Sequence, residues 1–567
     1  MASSVDNVAP IESNGAKRQA ETALRSQEEP RGSYRFKNKR MKNGHAIGST
    51  ILKTNGDHEE VLLEDVNALL KSFKLEADGT VESKPVPEHL SEVEVKIEHI
   101  SSTGDGLGFL KDSNAEHVYV VPFTAPGDVV TAKVFKRFDK SRYSLTDFVK
   151  VNIPSPHRDE SLVKCPYFAT CSGCQFQMLP YGYQLAHKKT IVEKAYKNFS
   201  NLPPELIPAI GDTIGSPLQY GYRTKLTPHF DGPPDARRSD GRNGIKRSFK
   251  EVPPIGFMKK GTRTTIDIED CPIGTDAVRK GNKRERKRVA EELSKYSKGA
   301  TLLLRENTER ILKSDYEAPY VVKKYEEAVY EDRGAHIHKK TCVTDPKATT
   351  TEYIDDFEFV NPAGAFFQNN NAILPRFTQY IRDHILPLPS DDLNQPKISN
   401  LIDAYSGSGL FTITLSSLFN TSLGIDISPA SINSATHNAI INNLPSSRAK
   451  FIAADAAALF ASIETPAEET VVMIDPPRKG CDESFLRQLV GYGPQRIVYV
   501  SCNVHTQARD VGILVGGMKR VDGGMGPGVG CYEIESIVGF DFFPQTGHVE
   551  GVAVLRRSIG RNGGKRD

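Results

Sequence analysis

From residue 371 to about residue 555 the chain alternates short β-branched runs with stretches of helical spacing. NLIDA, SLGID, AKFIAADA, TVVMID and RIVYVS read as strands; LFTITLSSLF and PASINSATHNAIINN read as helices between them. Strands separated by helical crossovers pair in parallel, because each crossover carries the chain back to its starting edge. The pattern predicts an α/β fold built on a doubly wound, largely parallel sheet. Ligands of such sheets bind beyond the carboxyl ends of the strands. Asp403, Asp426, Asp455, Asp475 and Cys502 fall at those ends, so they are expected around one crevice.

The first strand runs into DAYSGSG, residues 403–409, and then a helix. Glycines there let a ligand approach the backbone closely. A dinucleotide fingerprint wants a third glycine where Thr412 stands, so a nicotinamide enzyme is disfavoured. Asp426 ends the next strand at the spacing of a carboxylate that binds ribose hydroxyls. Asp455 ends the third, where a polar group meets an adenine. Together these point to S-adenosylmethionine. In IDPPRKG, residues 474–480, two prolines stiffen the turn after Asp475 and hold that carboxylate towards a flat, polar base.

At 567 residues the chain is too long for a single domain. Residues 1–85 read as a mostly disordered basic extension containing RFKNKRMK; within them only VLLEDVNALLKSF has helical spacing. Short Gly- and Asp-punctuated strands over 86–152 predict a small β-barrel. Its exposed face is expected to carry Lys133, Lys136, Arg137, Lys140 and Arg142 interleaved with Phe135, Phe138 and Tyr143, a pairing that suits RNA. Residues 153–370 form a mixed α and β central region with basic segments at 231–250 and 280–296. The sheet domain spans 371–555 and a basic tail 556–567. Net charge is only +2, so any nucleic-acid footprint is local. The N-terminus lacks an apolar signal core, which argues against secretion, and no run is long and apolar enough to span a membrane. Nucleus or cytoplasm is the expected location, with mitochondria left open.

Of the eight cysteines, Cys165, Cys171 and Cys174 fall within ten residues. Clustering of this kind in a large chain without a secretion signal indicates metal binding rather than disulfides. Cys271, in the turn-like IEDCPIG, is the natural fourth ligand of either a zinc ion or an iron–sulfur cluster.

The strand RIVYVS delivers Cys502 to its exit, with His505 nearby. A thiol is a nucleophile only as thiolate, so Cys502 needs activation. Glu550 follows an FPQTG turn and precedes the last apolar strand. Thiol and carboxylate in one crevice with a methyl donor fit methylation at C5 of uracil. Sulfur adds to C6, C5 becomes an enolate carbon and takes the methyl, a base removes the C5 proton, and elimination frees the thiol. A cytosine-5 methyltransferase, a non-catalytic iron–sulfur RNA-binding protein and a Cys–His hydrolase on Cys502 and His505 are the competing readings.

SCN at a strand exit, DPPR before it, FFQNNN at 366–371 and DFFPQTGHVE at 541–550 resemble the RNA uracil-5-methyltransferase family. The segment 86–152 resembles that family's TRAM domain, CPYFATCSGCQFQ its cluster-binding segment, and YGYRTKLTPHF its tyrosine–arginine strand. The resemblance implies a class I (Rossmann-like) methyltransferase domain, an α+β central domain and an N-terminal TRAM/OB-like barrel. By position, Cys502 would be the nucleophile and Glu550 the base. Gln368, Tyr405, Asp426 and Asp475 would line the S-adenosylmethionine and uracil pocket. Cys165, Cys171, Cys174 and Cys271 would hold a [4Fe-4S] cluster. The implied substrate is the T-loop uridine-54 of tRNA, with rRNA as the alternative, and the implied enzyme is a monomer. Two departures stand out: Leu410 occupies a position where many members have Asn, and the NNN tract at 369–371 is unusual.

Overall fold

The computed structural model of the chain describes residues 54–76, 86–111, 113, 115–233, 249–316, 327–388, 397–454, 460, 463–517 and 532–558. The basic run at 35–42, most of the 231–250 segment, Asp455 and the end of the basic tail lie outside the described residues.

Five strands close the expected barrel: β1 (Glu92–Ile100), β2 (Gly106–Leu110), β3 (Val118–Val121), β4 (Val129–Phe138) and β5 (Tyr143–Ile153), in the order β1-β2-β3-β5-β4. In β1 buried and exposed residues alternate, with Val93, Val95 and Ile97 inward, as a barrel wall requires. Ahead of the barrel, the helical spacing read in VLLEDVNALLKSF is realised. Residues His58–Glu76 form a 19-residue helix, α1. Its apolar residues Leu62, Val66, Leu69 and Leu70 bury against Leu107, Phe109, Val118, Val120 and Tyr143 of the barrel. The extension is therefore not disordered throughout, because this helix has an apolar stripe and a partner that covers it. The same packing corrects the expected stacking face. Tyr143 is buried, and Phe138 stacks on it at 4.5 Å rather than lying open to a base.

The central region holds two four-stranded antiparallel sheets, a hairpin of Thr349–Ile354 and Phe357–Pro362, and helices α2 (Tyr181–Phe199) and α3 (Asp276–Glu291). Several α3 cations are already paired: Arg284 with Glu327, Arg286 with Asp267, Arg288 with Glu285 and Glu292.

Next comes a seven-stranded sheet of β6 (Asn400–Ala404), β7 (Thr421–Asp426), β8 (Ala449–Ala453), β9 (Thr470–Ile474), β10 (Arg496–Ser501), β11 (Tyr532–Phe540) and β12 (Glu550–Arg557). The order is β8-β7-β6-β9-β10-β12-β11, parallel from β8 to β10, with β12 antiparallel to both neighbours. Every residue of β9 and β10 is buried, as helices on both faces demand. LFTITLSSLF is less helical than its spacing implies: only Leu410–Thr414 is α-helix, and Ser416–Leu418 is a 3₁₀ turn. Its Thr, Ile and Ser residues carry weak helix propensity. Leu410 is buried in the core against this sheet, so its departure from the family pattern is a packing choice. Among the described residues no helix is long and apolar enough to cross a membrane.

A fully buried ion pair locks the central region to the sheet domain. Lys188 of α2 donates to Asp541, the residue after β11, and to the Phe543 carbonyl at 3.0 Å. Removing one partner strands a charge in a dry interior. Lys188→Met should lower stability to urea by about 3–5 kcal/mol, and Lys188→Met/Asp541→Leu should recover most of that loss. Equal losses in the single and double variants would show that the pair is not the lock.

Candidate active site

The crevice is set by strand register. On the parallel side Ala404 pairs with Ile474, so Tyr405 and Asp475 emerge side by side at the ends of β6 and β9. On the antiparallel side Ser501 pairs with Gly551, and one step further Cys502 faces Glu550. Parallel and antiparallel neighbours of β10 thus aim a thiol and two carboxylates into one space.

These groups shape each other's protonation. Burial is the main cause that pushes the Cys502 thiol up to about 12; the charges of Glu550 and Asp475 add to it, and the Arg478 guanidinium opposes them. Burial likewise lifts Asp475 to about 7, aided by Asp403. Glu550, 3% exposed, is raised well above the usual carboxylate range by burial and by Asp475, again against Arg478. The crevice therefore disfavours negative charge, and the Arg478 guanidinium opposes that at both Cys502 and Glu550. Sequence reasoning missed Arg478, although it stands inside the quoted IDPPRKG motif; a lone arginine in a loop carries no periodic signal.

The glycine turn is shaped for a ligand. Gly407 and Gly409 have φ of +55° and +90°, and a β-carbon at Gly407 would meet nothing within 4 Å. Tyr405 shares the left-handed region at +67°, a strained conformation for an aromatic residue. Asp426 accepts from the Gly407 and Ser428 amides at 3.1 and 2.8 Å, which holds the turn against β7 and leaves lone pairs for further donors. Asp403 is buried, raised to about 7 chiefly by burial, and accepts from the Thr412 amide and hydroxyl at 2.9 and 2.6 Å. Its second oxygen and the Ser406 hydroxyl are buried without a partner. Just past Asp426, Ile427 is 71% exposed, an apolar wall at the pocket rim.

The other wall is the 541–550 turn and the FFQNNN segment. Tyr222 donates to the Pro544 carbonyl at 3.1 Å, and Gln545 is held by Gln184 and by the amides of Gln175 and Phe176. Each asparagine of the NNN tract ties down a different element. Asn369 accepts from Arg305 at 3.0 Å, Asn370 donates to Ser216 and to the Phe542 carbonyl at 3.1 Å, and Asn371 donates to the Tyr353 carbonyl at 3.1 Å. Half-buried Gln368 precedes this anchor, and Phe366, also missed by sequence reasoning, stands 76% exposed. His505 does not join the crevice: its ring is buried edge-on to Phe199, 5.1 Å between centroids, and burial lowers it to about 4.

The four cysteines do converge. Cys174 and Cys271 each feel the charges of Cys165 and Cys171, burial raises both thiols, and none of the four is in a disulfide. Among the described residues, however, no three His, Cys, Asp or Glu side chains are arranged to hold a single metal ion.

With this geometry in hand, the comparisons with known proteins decide the family. Residues 347–558 match the family model described as tRNA (Uracil-5-)-methyltransferase, and residues 88–143 match the TRAM domain. The tRNA (uracil(54)-C(5))-methyltransferase of Schizosaccharomyces pombe is 44% identical over 491 residues, 86% of this chain and 82% of that protein. The chain belongs to the tRNA (uracil-5-)-methyltransferase family. The Saccharomyces cerevisiae protein of the same name is 38% identical over 600 residues, 98% of this chain and 87% of that protein. The solved structure of Pyrococcus abyssi tRNA (uracil-54, C5)-methyltransferase in complex with S-adenosyl-L-homocysteine shares the fold, with a TM-score of 0.54 at 24% identity, covering 82% of this chain and 100% of that one. As a family member this chain is a methyltransferase of uracil C5 in tRNA, and it carries a TRAM domain.

The raised thiol predicts sluggish alkylation in the ligand-free enzyme. Iodoacetamide should modify Cys502 at least about tenfold more slowly at pH 8 than an unperturbed cysteine, because only thiolate reacts. The rate should keep climbing with pH above 9.0, the value of an ordinary thiol, and Arg478→Gln should slow it further by removing an opposing cation. Peptide mass spectrometry reads the rate; a plateau below pH 9.0 would contradict the raised thiol.

Proposed function

We propose that this chain transfers a methyl group from S-adenosylmethionine to C5 of uridine 54 in tRNA through a covalent Cys502–C6 adduct. The observation that carries the chemistry is the β10–β12 register, which sets Cys502 opposite Glu550. The position in tRNA is supported by the activity for which the two fungal relatives are named. When bound, S-adenosylmethionine supplies an electrophilic methyl on a sulfonium. The open glycine turn, the unpaired polar atoms of Asp403 and Ser406, and the carboxylate of Asp426 fit a nucleoside-bearing ligand of that kind. Tyr405, Asp475 and Gln368 line the rest of that pocket in this reading.

Cys502 adds through sulfur to C6, with Arg478 favouring the thiolate, and the ring's electrons move onto O4 as an enolate. C5 takes the methyl, so it carries both methyl and hydrogen. Glu550, in its anionic form, accepts the C5 proton; a carboxylate with raised proton affinity is the stronger base. The C5 electron pair then expels sulfur from C6, which restores the double bond and the thiolate. Exposed Phe366 offers a face on which a displaced base stacks. One chain supplies every residue named, and in this reading the enzyme acts as a monomer.

Incubation with labelled S-adenosylmethionine and unmodified tRNA transcript should give 5-methyluridine at position 54. Cys502→Ala should abolish it while the fold survives, and Glu550→Gln should let a protein–RNA adduct build up. Near wild-type turnover by Cys502→Ala would end the proposal.

Cys165, Cys171, Cys174 and Cys271 would hold a [4Fe-4S] cluster in this reading, which rests on the family resemblance of their segment and on the mutual electrostatic influence of the four thiols. Purified under argon, the protein should be brown with about four irons per chain, and Cys174→Ser should bleach it. A colourless protein carrying one zinc would overturn this assignment.

A further inference from the structure

Helix α1 does more than cover the barrel. Val61 packs against α2 residues Ile191 and Val192 in the core under the sheet domain, while Leu62, Val66, Leu69 and Leu70 face the barrel. Buried Asp65 accepts from the Ser102 amide of the barrel and pairs with Lys194 of α2 at 3.0 Å. The helix is a wedge between three bodies, and its leading end reaches Asn503, the residue after the nucleophile.

That leading end is a hook, Thr54–Asp57. Glu60 accepts from the Asn55 and Gly56 amides at 3.0 and 2.9 Å, and Asp57 caps the helix through the Glu60 amide at 2.9 Å. Outward from the hook, the Gly56 carbonyl accepts from Asn503 Nδ2 at 3.1 Å, and the Thr54 carbonyl accepts from Arg509 at 3.0 Å. Asn503 directly follows Cys502. Its side-chain nitrogen also donates to the Arg478 carbonyl at 3.0 Å, while its oxygen accepts from the His505 amide at 3.1 Å. A primary amide has two N–H groups, and Asn503 spends one on the loop of Arg478 and the other on the hook. Gly56 is at φ +56°, and a β-carbon there would come within 3.0 Å of Thr506 and 3.2 Å of His505. Fit this close leaves room only for glycine.

We infer that the N-terminal hook is a positioning element of the catalytic site. By holding Asn503, Thr54–Asp57 fixes the Cys502 loop against the Arg478 loop, and α1 ties that setting to the seating of the RNA-binding barrel. Gly56 and Glu60 touch no reacting atom; they act through Asn503. The inference rests on the uracil-methyltransferase reading above. Wild-type enzyme fails on tRNA if that reading is wrong, whereas hydrogen exchange reports on the hook regardless of activity.

Two full-length variants test it. Gly56→Val crowds Thr506 and cannot hold the left-handed turn; Glu60→Ala loosens the hook from the side away from the catalytic loop. Gly56→Val should lower kcat for tRNA methylation about tenfold and Glu60→Ala about threefold, the scale of one lost hydrogen bond, with KM for tRNA within about twofold. Amides of 476–481 and 502–506 should exchange faster in both variants, while those of β9 and β10 keep their protection. Unchanged kcat in both variants despite faster exchange in the hook would overturn the inference. A loss carried wholly by KM would overturn it too, by making the hook a tRNA contact. If Gly56→Val loses its fold, the milder Glu60→Ala decides alone.

Discussion

The site depends on the reversal of one strand. Six strands of the sheet point one way, and β12 enters antiparallel between β10 and β11. A parallel neighbour would have put its carboxyl end beside that of β10. The antiparallel one presents its amino end, where Glu550 is the first residue. The main-chain ladder therefore sets the distance between thiol and base, and Gly551 lets the helix that follows Cys502 lie close on β12: a β-carbon there would meet Gln507 and Val504 of that helix. The Lys188–Asp541 pair and the Tyr222, Gln184 and Asn370 bonds all brace the turn that feeds Glu550 into this register. Much of the central region reads as scaffolding for that one turn.

Electrostatics follows from the same packing. Asp475, Glu550 and Cys502 are brought together in a place poor in water: burial disfavours the ionised form of all three, Asp475 adds to this at Glu550, and both carboxylates add to it at Cys502. A site of this kind is poorly reactive when empty and is relieved by positive charge. Arg478 supplies part of it from the chain itself. A sulfonium cosubstrate carries the other part, which ties readiness of the thiol to the presence of the methyl donor.

The sheet, its crevice and the thiol were legible because they rest on local patterns: β-branched runs, glycine turns and acidic strand ends. Glu550 was marked by the FPQTG turn before it and the apolar strand after it, and the family motifs then gave it the role of base. Other features depend on contacts between distant segments. The helical spacing of α1 was legible, but its docking was not, because its apolar stripe has meaning only once the barrel is there to bury it. For the same reason Phe138 and Tyr143 looked like free stacking rings. Arg478 and Asn503 were in plain view inside quoted motifs, yet their roles come from what they face across the crevice. His505 shows the converse: near Cys502 in sequence, it turns into the core against Phe199.

The central claim is that Cys502, and no other thiol, attacks the target uracil. Transcript tRNA carrying 5-fluorouridine at position 54 tests this, since fluorine at C5 cannot leave as a proton and elimination stalls. After incubation with S-adenosylmethionine, digestion with nuclease and protease and mass spectrometry should find one nucleotide on Cys502, heavier by one methyl group. A nucleotide on another residue, or none with the methyl donor present, would contradict the account.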